Sequence, residues 1–431
     1  MAQTAKIETI NGQQYVGGYK LVDPLKYKWK VLITAFIGQG FDILDLMAIA
    51  VALPLIIKDW GLDLIAAGGI ASATLLGSAI GAYCWGPIMD KFGRKKIYLL
   101  CIVWMTVFSG SCAFASDISH LLVLRFLAGF ALGGLWVLGS TLLNEFTPTD
   151  WRAKASAFVQ SASLPGYGAV LLVNIYIVPI YGWRPLFLIS FLALLQALYI
   201  AIAIPESPAW IKSKFGLDKS SLAQAENGNG ENVRKYSYKD LFGEFRMATI
   251  MGAGLVISFI VSYWGLQAWV PTYLVNETGV SSARMSAIML SMNVGGFFGY
   301  YVSGWVATVL SRRQNYLYGC TLAGVMMLIF IYLATPGNVM VLAFILGLIS
   351  FGYIGALAVF IGEQFPTAIR SSGISFTWGC GRLAAAIIPT ALGGLAMATS
   401  LQFAIGLMGF ICATGSIFAF FMRDGLYTDN A

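Results

Sequence analysis

Twelve apolar runs restrict the fold of this chain more strongly than any other feature of its sequence. Each run is long enough to cross a bilayer as a helix, because about 20 residues span a hydrocarbon layer roughly 30 Å thick. Only 11% of the residues are charged, whereas soluble domains carry about 25%. The sequence therefore predicts an all-α polytopic membrane protein with twelve transmembrane helices. The predicted spans are residues 31–57, 66–88, 97–116, 119–142, 154–179, 183–204, 247–275, 282–310, 315–334, 338–362, 372–397 and 401–422.

A polar stretch between the sixth and seventh runs divides the chain into two groups of six helices. It contains the tract Asn227-Gly228-Asn229-Gly230, which is typical of a flexible linker. The first run is too long for a signal-peptide core, so we expect it to be retained as a helix. The predicted domains are an N-terminal segment (1–30), a first six-helix half (31–204), a linker (205–246), a second six-helix half (247–422) and a tail (423–431).

The basic residues gather on one side of the predicted membrane. An even number of spans places both ends of the chain on the same side, and most of the 27 Lys and Arg residues lie there. The loops of the opposite side hold Lys58, Arg184 and Arg284. By the positive-inside rule, both termini and the linker are predicted to be cytoplasmic. We expect a multi-pass protein of the plasma membrane, which is the inner membrane in a bacterium, and no nucleic-acid partner.

Two carboxylates lie inside the first run. Asp42 is twelve residues beyond Lys30, which places it near the middle of the bilayer at a rise of about 1.5 Å per residue. Asp45 lies three residues later and shares the same helix face. A charge at this depth costs on the order of 3 kcal/mol, so the face is predicted to border a helix bundle or a wet cavity. A proton-linked pathway is one interpretation, and a structural pair with a buried Arg is the other.

Enzyme and metal chemistry are not predicted. The six Cys residues fall in apolar runs, and the sequence has a single histidine, His120. The sequence has no phosphate-binding loop, no nucleophile motif with a usable histidine and no metal-ligand spacing. We therefore expect no enzyme activity, no cofactor and no metal.

The two halves of the sequence repeat at one offset of 218 residues. Gly77, Gly81, Phe126 and Gly129 in the first half correspond to Gly295, Gly299, Phe344 and Gly347 in the second. The same offset relates Gly86-x-x-x-Asp90-x-x-Gly93-Arg94 to Gly304-x-x-x-Thr308-x-x-Ser311-Arg312, and Glu145-x-x-Pro148-x-x-x-Arg152 to Glu363-x-x-Pro366-x-x-x-Arg370. A duplicated six-helix unit is therefore predicted. Parallel repeats of this kind are typical of transporters whose site lies between the halves.

These motifs resemble those of the major facilitator superfamily. The segments Gly182-Trp183-Arg184 and Pro205-Glu206-Ser207-Pro208 resemble the branch that holds sugar porters and organic-anion:proton symporters. Gly40-Phe41-Asp42 resembles the Asp-Gly-x-Asp motif of the aromatic-acid symporters, although Gln39 replaces the first Asp. The double Gln that sugar porters carry in span seven is absent, since Gln267 stands alone. The resemblance therefore favours an organic anion over a sugar.

The resemblance also implies roles for charged residues in the first half and in the loops. In the superfamily, an Arg at the position of Arg125 resembles the ion-pair partner of the acid in span one, which here is Asp42 or Asp45. The alternative is that Arg125 has a purely structural role. A cytoplasmic latch is also implied, and solvated loop charges are the alternative reading. The latch residues would be Gly86, Asp90, Gly93, Arg94, Glu145, Arg152, Glu363 and Arg370.

Arg382 is the predicted anchor for a carboxylate substrate. It lies near mid-depth in span eleven, and guanidinium binds carboxylate as a two-pronged fork. A salt bridge to Asp42 or Asp45 across the halves is the alternative, and the two readings agree if substrate and proton compete for the pair. Aromatic and amide side chains would contact the rest of a flat substrate. For each such residue, a lipid-facing or packing role is the alternative. The candidates are Trp264, Gln267, Asn293, Tyr353, Phe376 and Trp378.

The sequence thus predicts a secondary active transporter, monomeric, that carries a small organic anion together with protons by alternating access. The anion would be an aromatic or a short-chain carboxylate. A proton-coupled porter of sugars or polyols with the same fold is the main alternative. A non-transporting receptor and a drug exporter are further alternatives, but the linker of 42 residues is short for an output domain and the exporter motif in span five is weak.

Overall fold

The computed structural model describes residues 7–10, 13–148, 151–215, 238–352, 357–365 and 370–423. Helices make up almost all of this part of the chain. The helices of the first half are α1 (Pro24–Trp60), α2 (Leu64–Phe92), α3 (Arg94–Ser111), α4 (Ile118–Phe146), α5 (Arg152–Gln160), α6 (Ser163–Tyr176), α7 (Val178–Tyr181), α8 (Pro185–Leu188), α9 (Ala193–Ala203) and α10 (Pro208–Lys214). Those of the second half are α11 (Arg246–Asn276), α12 (Ser282–Val309), α13 (Arg312–Leu333), α14 (Val339–Gly352), α15 (Leu357–Gly362), α16 (Arg370–Ala398) and α17 (Leu401–Phe421). Single 3₁₀ turns cover Cys112–Phe114, Ile189–Leu192 and Tyr238–Leu241.

The described helices confirm the predicted twelve-helix class. Ten stretches of the described chain are long and apolar enough to cross a membrane. The eighth predicted span is α12, with 28 residues, and the tenth is formed by α14 and α15. The fifth span divides into α5 and α6, and the sixth runs from α8 through a 3₁₀ turn into α9. Most of the predicted linker lies outside the described residues.

Capping residues set the start of α1 and the reversal between α1 and α2. The Asp23 side chain accepts a hydrogen bond from the Leu25 amide at 3.0 Å, and Pro24 follows at the first helical position. Gly61 ends α1 in the left-handed region at φ 63°, and Asp63 begins α2 by accepting from the Ala66 amide at 2.7 Å. We call the end of the bundle where α1 begins the amino face and the opposite end the far face.

Equivalent glycines bring equivalent helices together in the two halves. A Cβ atom on Gly77 of α2 would collide with the Phe126 carbonyl of α4, and one on Gly295 of α12 would collide with the Phe344 carbonyl of α14. Only glycine permits backbones to approach this closely. The offset found in the sequence therefore corresponds to the same helix contact built twice.

A small antiparallel sheet precedes α1 and was not predicted from the sequence. Its strands are β1 (Ile7–Ile10), β2 (Gln13–Val16) and β3 (Tyr19–Lys20), in the order β1-β2-β3. The turn between β2 and β3 uses Gly17 and Gly18, both with positive φ. Val16 and Tyr19 pack against Trp210 of α10, so the sheet is attached to the amino face of the first half.

Candidate functional site

An ion pair with no solvent-exposed area lies in the core of the first half. Arg125 of α4 reaches both carboxylate oxygens of Asp45 on α1, with N–O distances of 3.4 Å, and each side chain is 0% exposed. Ser109 of α3 donates to the same carboxylate and lies 3.0 Å from the Ser190 hydroxyl. The guanidinium also packs 4.9 Å from the centre of the Phe187 ring. Asp45 and Arg125 therefore connect helices of one half only.

Asp42, one turn earlier on α1, is coupled to a charge of the other half. It interacts electrostatically with Arg382 of α16 and is 9% exposed. Arg382 also interacts with Tyr83 of α2, so it lies against the first half along this seam. The two aspartates that share a face in the sequence thus have different partners. Asp45 pairs within its own half, and Asp42 lies within electrostatic range of the cation of the opposite half.

A cavity wide enough for water molecules extends from Asp42 toward the amino face. Its described lining comes entirely from α1, α3, α4 and α5, and we call it the amino-half cavity. Ser156 and Gln160 are exposed at its margin on α5, whereas Gln39 and Tyr98 are buried. The lining residues are Ala35, Gly38, Gln39, Asp42, Tyr98, Leu135, Gly139, Ser140, Leu143, Ser156, Val159 and Gln160.

A second cavity lies between the halves, and we call it the interhalf cavity. Trp264 and Gln267 of α11 and Pro389 of α16 form its wall in the second half. Gln267 is 1% exposed, and its carbonyl oxygen has no hydrogen-bond partner among the described residues. The first-half wall is mostly apolar and consists of Leu46, Met47, Ile49, Ala50, Ala71, Thr74 and Leu75.

The remaining substrate candidates occupy different environments. The Trp378 indole N–H, one helical turn before Arg382 on α16, is buried and has no acceptor within the described chain. The Asn293 amide donates to the Leu164 carbonyl of α6 at 3.3 Å, across the two halves. Phe376 packs edge-on against Phe242, at a ring distance of 5.1 Å. Tyr353 lies outside the described residues.

Two tyrosines border the same region and were missed by sequence reasoning. Tyr263 of α11 packs against Trp264 and Phe351, with ring distances of 5.1 and 5.2 Å. Tyr167 of α6 interacts electrostatically with Tyr263, and its buried hydroxyl has no partner in the described structure. An aromatic residue in an apolar run gives the same signal whether it faces lipid or a seam, so the sequence offered no means of selecting either one.

The candidate latch residues form matching ion pairs in the two halves. Arg94 binds Glu145 at 3.2 Å, and their repeat equivalents Arg312 and Glu363 also pair. Each pair lies within one half. Gly93, at φ 108°, joins α2 to α3. The surroundings of Gly86 and the side chains of Asp90, Arg152 and Arg370 are outside what the structure describes.

Glu206 was quoted in a motif but not selected as a latch residue. One of its carboxylate oxygens accepts the backbone N–H groups of Arg94 and Lys95, at 2.8 and 2.9 Å. It therefore caps the start of α3 with a negative charge, where the helix dipole favours one.

Hydrogen bonds join the two halves near the far face. The buried Asn174 amide of α6 donates to Ser286 of α12 at 2.6 Å and to the Ser282 carbonyl at 3.0 Å. Ser72 of α2 and Thr390 of α16 are linked at 2.9 Å. These contacts hold the seam together on the side opposite to the chain's amino end.

The seam, the repeated helix contacts and the buried charges agree with the comparisons to known proteins. Residues 35–389 match the model of the Major Facilitator Superfamily. The chain belongs to this superfamily. A cis,cis-muconate transport protein of Acinetobacter baylyi is 30% identical, over 93% of this chain and 96% of that protein. A 4-hydroxybenzoate transporter of Pseudomonas putida is 27% identical, over 89% of each chain.

Solved structures agree on the fold. The crystal structure of a D-xylose-proton symporter matches with a TM-score of 0.74 at 18% identity, over 93% of this chain and 99% of that one. The expected twelve-helix fold and the expected absence of enzyme activity are confirmed, because the relatives and the fold are those of membrane transporters. This superfamily member is a transporter whose curated relatives carry aromatic and other organic acids.

Proposed function

We propose that this transporter carries a small organic anion, an aromatic or short-chain carboxylate, together with protons. The observation that carries the proposal is the placement of Asp42 and Arg382 on separate halves within electrostatic range of each other. Opposite charges at mid-depth on separate halves form a switch, because either a substrate carboxylate or Asp42 can neutralise the same guanidinium. The organic acids named for the relatives support this choice of cargo.

Arg382 is the proposed anchor for the substrate carboxylate. A guanidinium donates through several N–H groups in a fixed plane, which suits a carboxylate and gives little to a neutral sugar. Trp378 lies one turn away with an unused indole N–H, which is a donor only. A carboxylate at Arg382 would satisfy this donor too. The apolar interhalf cavity beside Trp264 would then receive the rest of the molecule.

Asp42 is the proposed proton carrier. When a substrate carboxylate engages Arg382, Asp42 loses its compensating cation, and a proton then removes its charge. The loaded seam therefore carries no unpaired charge, which lowers the cost of moving the halves past each other in a medium of low dielectric. Asp45 keeps its own partner, Arg125, throughout. We assign this second pair to holding the first half rigid.

Transport by this scheme requires that the seam opens alternately at its two ends. The Asn174–Ser286 and Ser72–Thr390 hydrogen bonds would close the far face in the form described above. The ion pairs Arg94–Glu145 and Arg312–Glu363 are already formed here, each within one half, and would hold the helix ends of each half together while the amino face opens and closes. We place that face in the cytoplasm of a bacterium, with the protein in the inner membrane as a monomer.

The test is uptake into proteoliposomes under an imposed pH gradient, acid outside. The labelled panel is benzoate, 4-hydroxybenzoate, cis,cis-muconate and xylose. We expect at least one carboxylate to accumulate with the gradient. Arg382→Gln should weaken its binding at least 30-fold, since removing one partner of a buried charge pair costs about 2–5 kcal/mol. Asp42→Asn should still exchange substrate but should not accumulate it.

Arg184→Gln is the matched control, because Arg184 is half-exposed and pairs only loosely with Asp59, at 3.8 Å. It should behave as the unmodified chain. Gradient-independent uptake of every carboxylate, or Arg382→Gln activity equal to that of the control, would contradict the proposal. Uptake of xylose that survives Arg382→Gln would favour the sugar porter instead.

A further inference from the structure

We infer that the amino-half cavity is the path by which Asp42 exchanges its proton with the amino face, separate from the path of the substrate. This inference rests on the proposed function, in which Asp42 carries the proton. Asp42 borders the cavity directly. The cavity's described walls come from the first half alone, so the path does not require the halves to part.

Polar groups line the cavity along its length. Gln39 and Tyr98 lie with Asp42 at the buried end, Ser140 lies on α4, and Gln160 is exposed on α5. The two Gln side chains, the Tyr hydroxyl and the Ser hydroxyl each offer a hydrogen-bond donor and an acceptor to a water molecule. A bound water needs two to four such partners in a site with enough room. The cavity therefore suits a short chain of waters between Asp42 and the amino face.

A buried network holds the Tyr98 hydroxyl beside Asp42. The Tyr98 hydroxyl and the Gln196 amide nitrogen of α9 both pack over Gly38 of α1, and that nitrogen donates to the Thr34 carbonyl at 2.9 Å. A hydroxyl both donates and accepts, so Tyr98 is a proton relay that needs no charge of its own. Among the described residues, the titratable and charged groups that interact with Asp42 are Tyr98, Asp45 and Arg382. Asp45 is committed to Arg125.

The path of the substrate is distinct. The interhalf cavity and the amino-half cavity have no lining residue in common. Trp264 and Gln267 border the first, whereas every described residue around the second belongs to the half that carries Asp42. Proton and substrate thus meet at the Asp42–Arg382 seam and reach it from different directions. A filled amino-half cavity should slow the proton and leave the substrate unaffected.

Gly139→Val is the substitution that fills the cavity with least disturbance. A Cβ at Gly139 would lie 3.4 Å from the Tyr98 hydroxyl, an ordinary contact, so the added methyl groups would project into the space for water. Ser140→Leu fills the same space from the next position. The matched control is Gly69→Val on α2, where a Cβ would lie 3.9 Å from Leu122 and away from the cavity.

The measurement of proton exchange needs no substrate. Infrared difference spectra of the protein in lipid nanodiscs are recorded while the buffer is stepped between acid and neutral pH and from water to deuterium oxide. The carboxyl band absent from Asp42→Asn reports Asp42. We expect the exchange rate of this band to fall at least tenfold in Gly139→Val and Ser140→Leu and to stay the same in Gly69→Val. Counterflow of the panel carboxylate that the unmodified chain transports should be unchanged in all three variants.

The outcomes separate the inference from the function beneath it. An Asp42 band that never appears would refute the role of Asp42 as proton carrier, and with it the path. A band whose exchange is as fast in both filled variants as in the control would refute the path alone. Slowing of the same size in Gly69→Val would also refute it. If Gly139→Val does not fold, the exchange rate in Ser140→Leu tests the path by itself.

Discussion

The buried pair of Asp45 and Arg125 makes a strong prediction about stability. Arg125→Met would remove a guanidinium of 0% exposure and leave the Asp45 carboxylate, also 0% exposed, with Ser109 as its remaining hydrogen-bond partner. Breaking a buried pair from one side costs about 3–5 kcal/mol, because the uncompensated charge stays buried. The unfolding entropy near 60 °C is about 2.1 cal/mol/K per residue, which gives about 0.9 kcal/mol/K for 431 residues. We therefore expect Tm to fall by about 3–6 °C.

The assay is thermal unfolding of detergent-purified protein, followed by size-exclusion recovery after heating. The double variant Asp45→Leu/Arg125→Met should recover most of the lost Tm, because replacing both charges with apolar side chains is often neutral. Asp42→Asn is the control. Because Asp42 borders a cavity, this substitution should lower Tm by less than half as much as Arg125→Met does. Equal losses in Arg125→Met and Asp42→Asn, or a double variant less stable than either single one, would refute the reasoning.

Three further predictions concern other contacts. Asn174→Ala removes hydrogen bonds worth about 0.5–1.5 kcal/mol each, so a cysteine placed at Ser72 in a chain without native cysteines should react with a maleimide several-fold faster; an unchanged rate would argue against a far-face closure. Glu206→Gln weakens the charged cap on the Arg94 and Lys95 amides, and Tm should fall by the equivalent of about 1–2 kcal/mol; a change within error would show that the cap is neutral. Gly77→Val and Gly295→Val should both abolish folded yield, because each Cβ meets a backbone carbonyl, whereas Gly69→Val should not; folded Gly295→Val protein would contradict the repeated helix contact.

The sequence predicted the parts of the fold that repeat or that depend on length. Span length gave the twelve helices, and a single offset related Gly77 to Gly295 before any contact was known. The same offset relates Arg94–Glu145 to Arg312–Glu363, which the structure pairs in the same way. Repetition is informative because two copies of one unit must satisfy the same packing.

The sequence could not predict which aspartate pairs with Arg125. Asp42 and Asp45 are three residues apart on one face, so the rotation of α1 decides between them. That rotation depends on contacts with other segments. Ser109, which lies beside Ser190, donates a hydrogen bond to Asp45 and not to Asp42. Tertiary contacts therefore determine which aspartate pairs with Arg125, and the spacing of residues along the sequence does not reveal it.

The small sheet before α1 was missed for a similar reason. Its strands are short, and it packs on Trp210, which lies almost two hundred residues later. An isolated sheet of this size is marginally stable in water. Only the docking partner on α10 explains why it forms at all.

Because that sheet is attached to α10 and to Lys96 of α3, it travels with the first six helices as one body. A spin label on Gln14 would therefore act as a marker for that body, and a second label on Tyr318 of α13 would mark the other. The distribution of distances between the two labels, measured in lipid with and without a carboxylate, would show how far the two halves move relative to each other during transport.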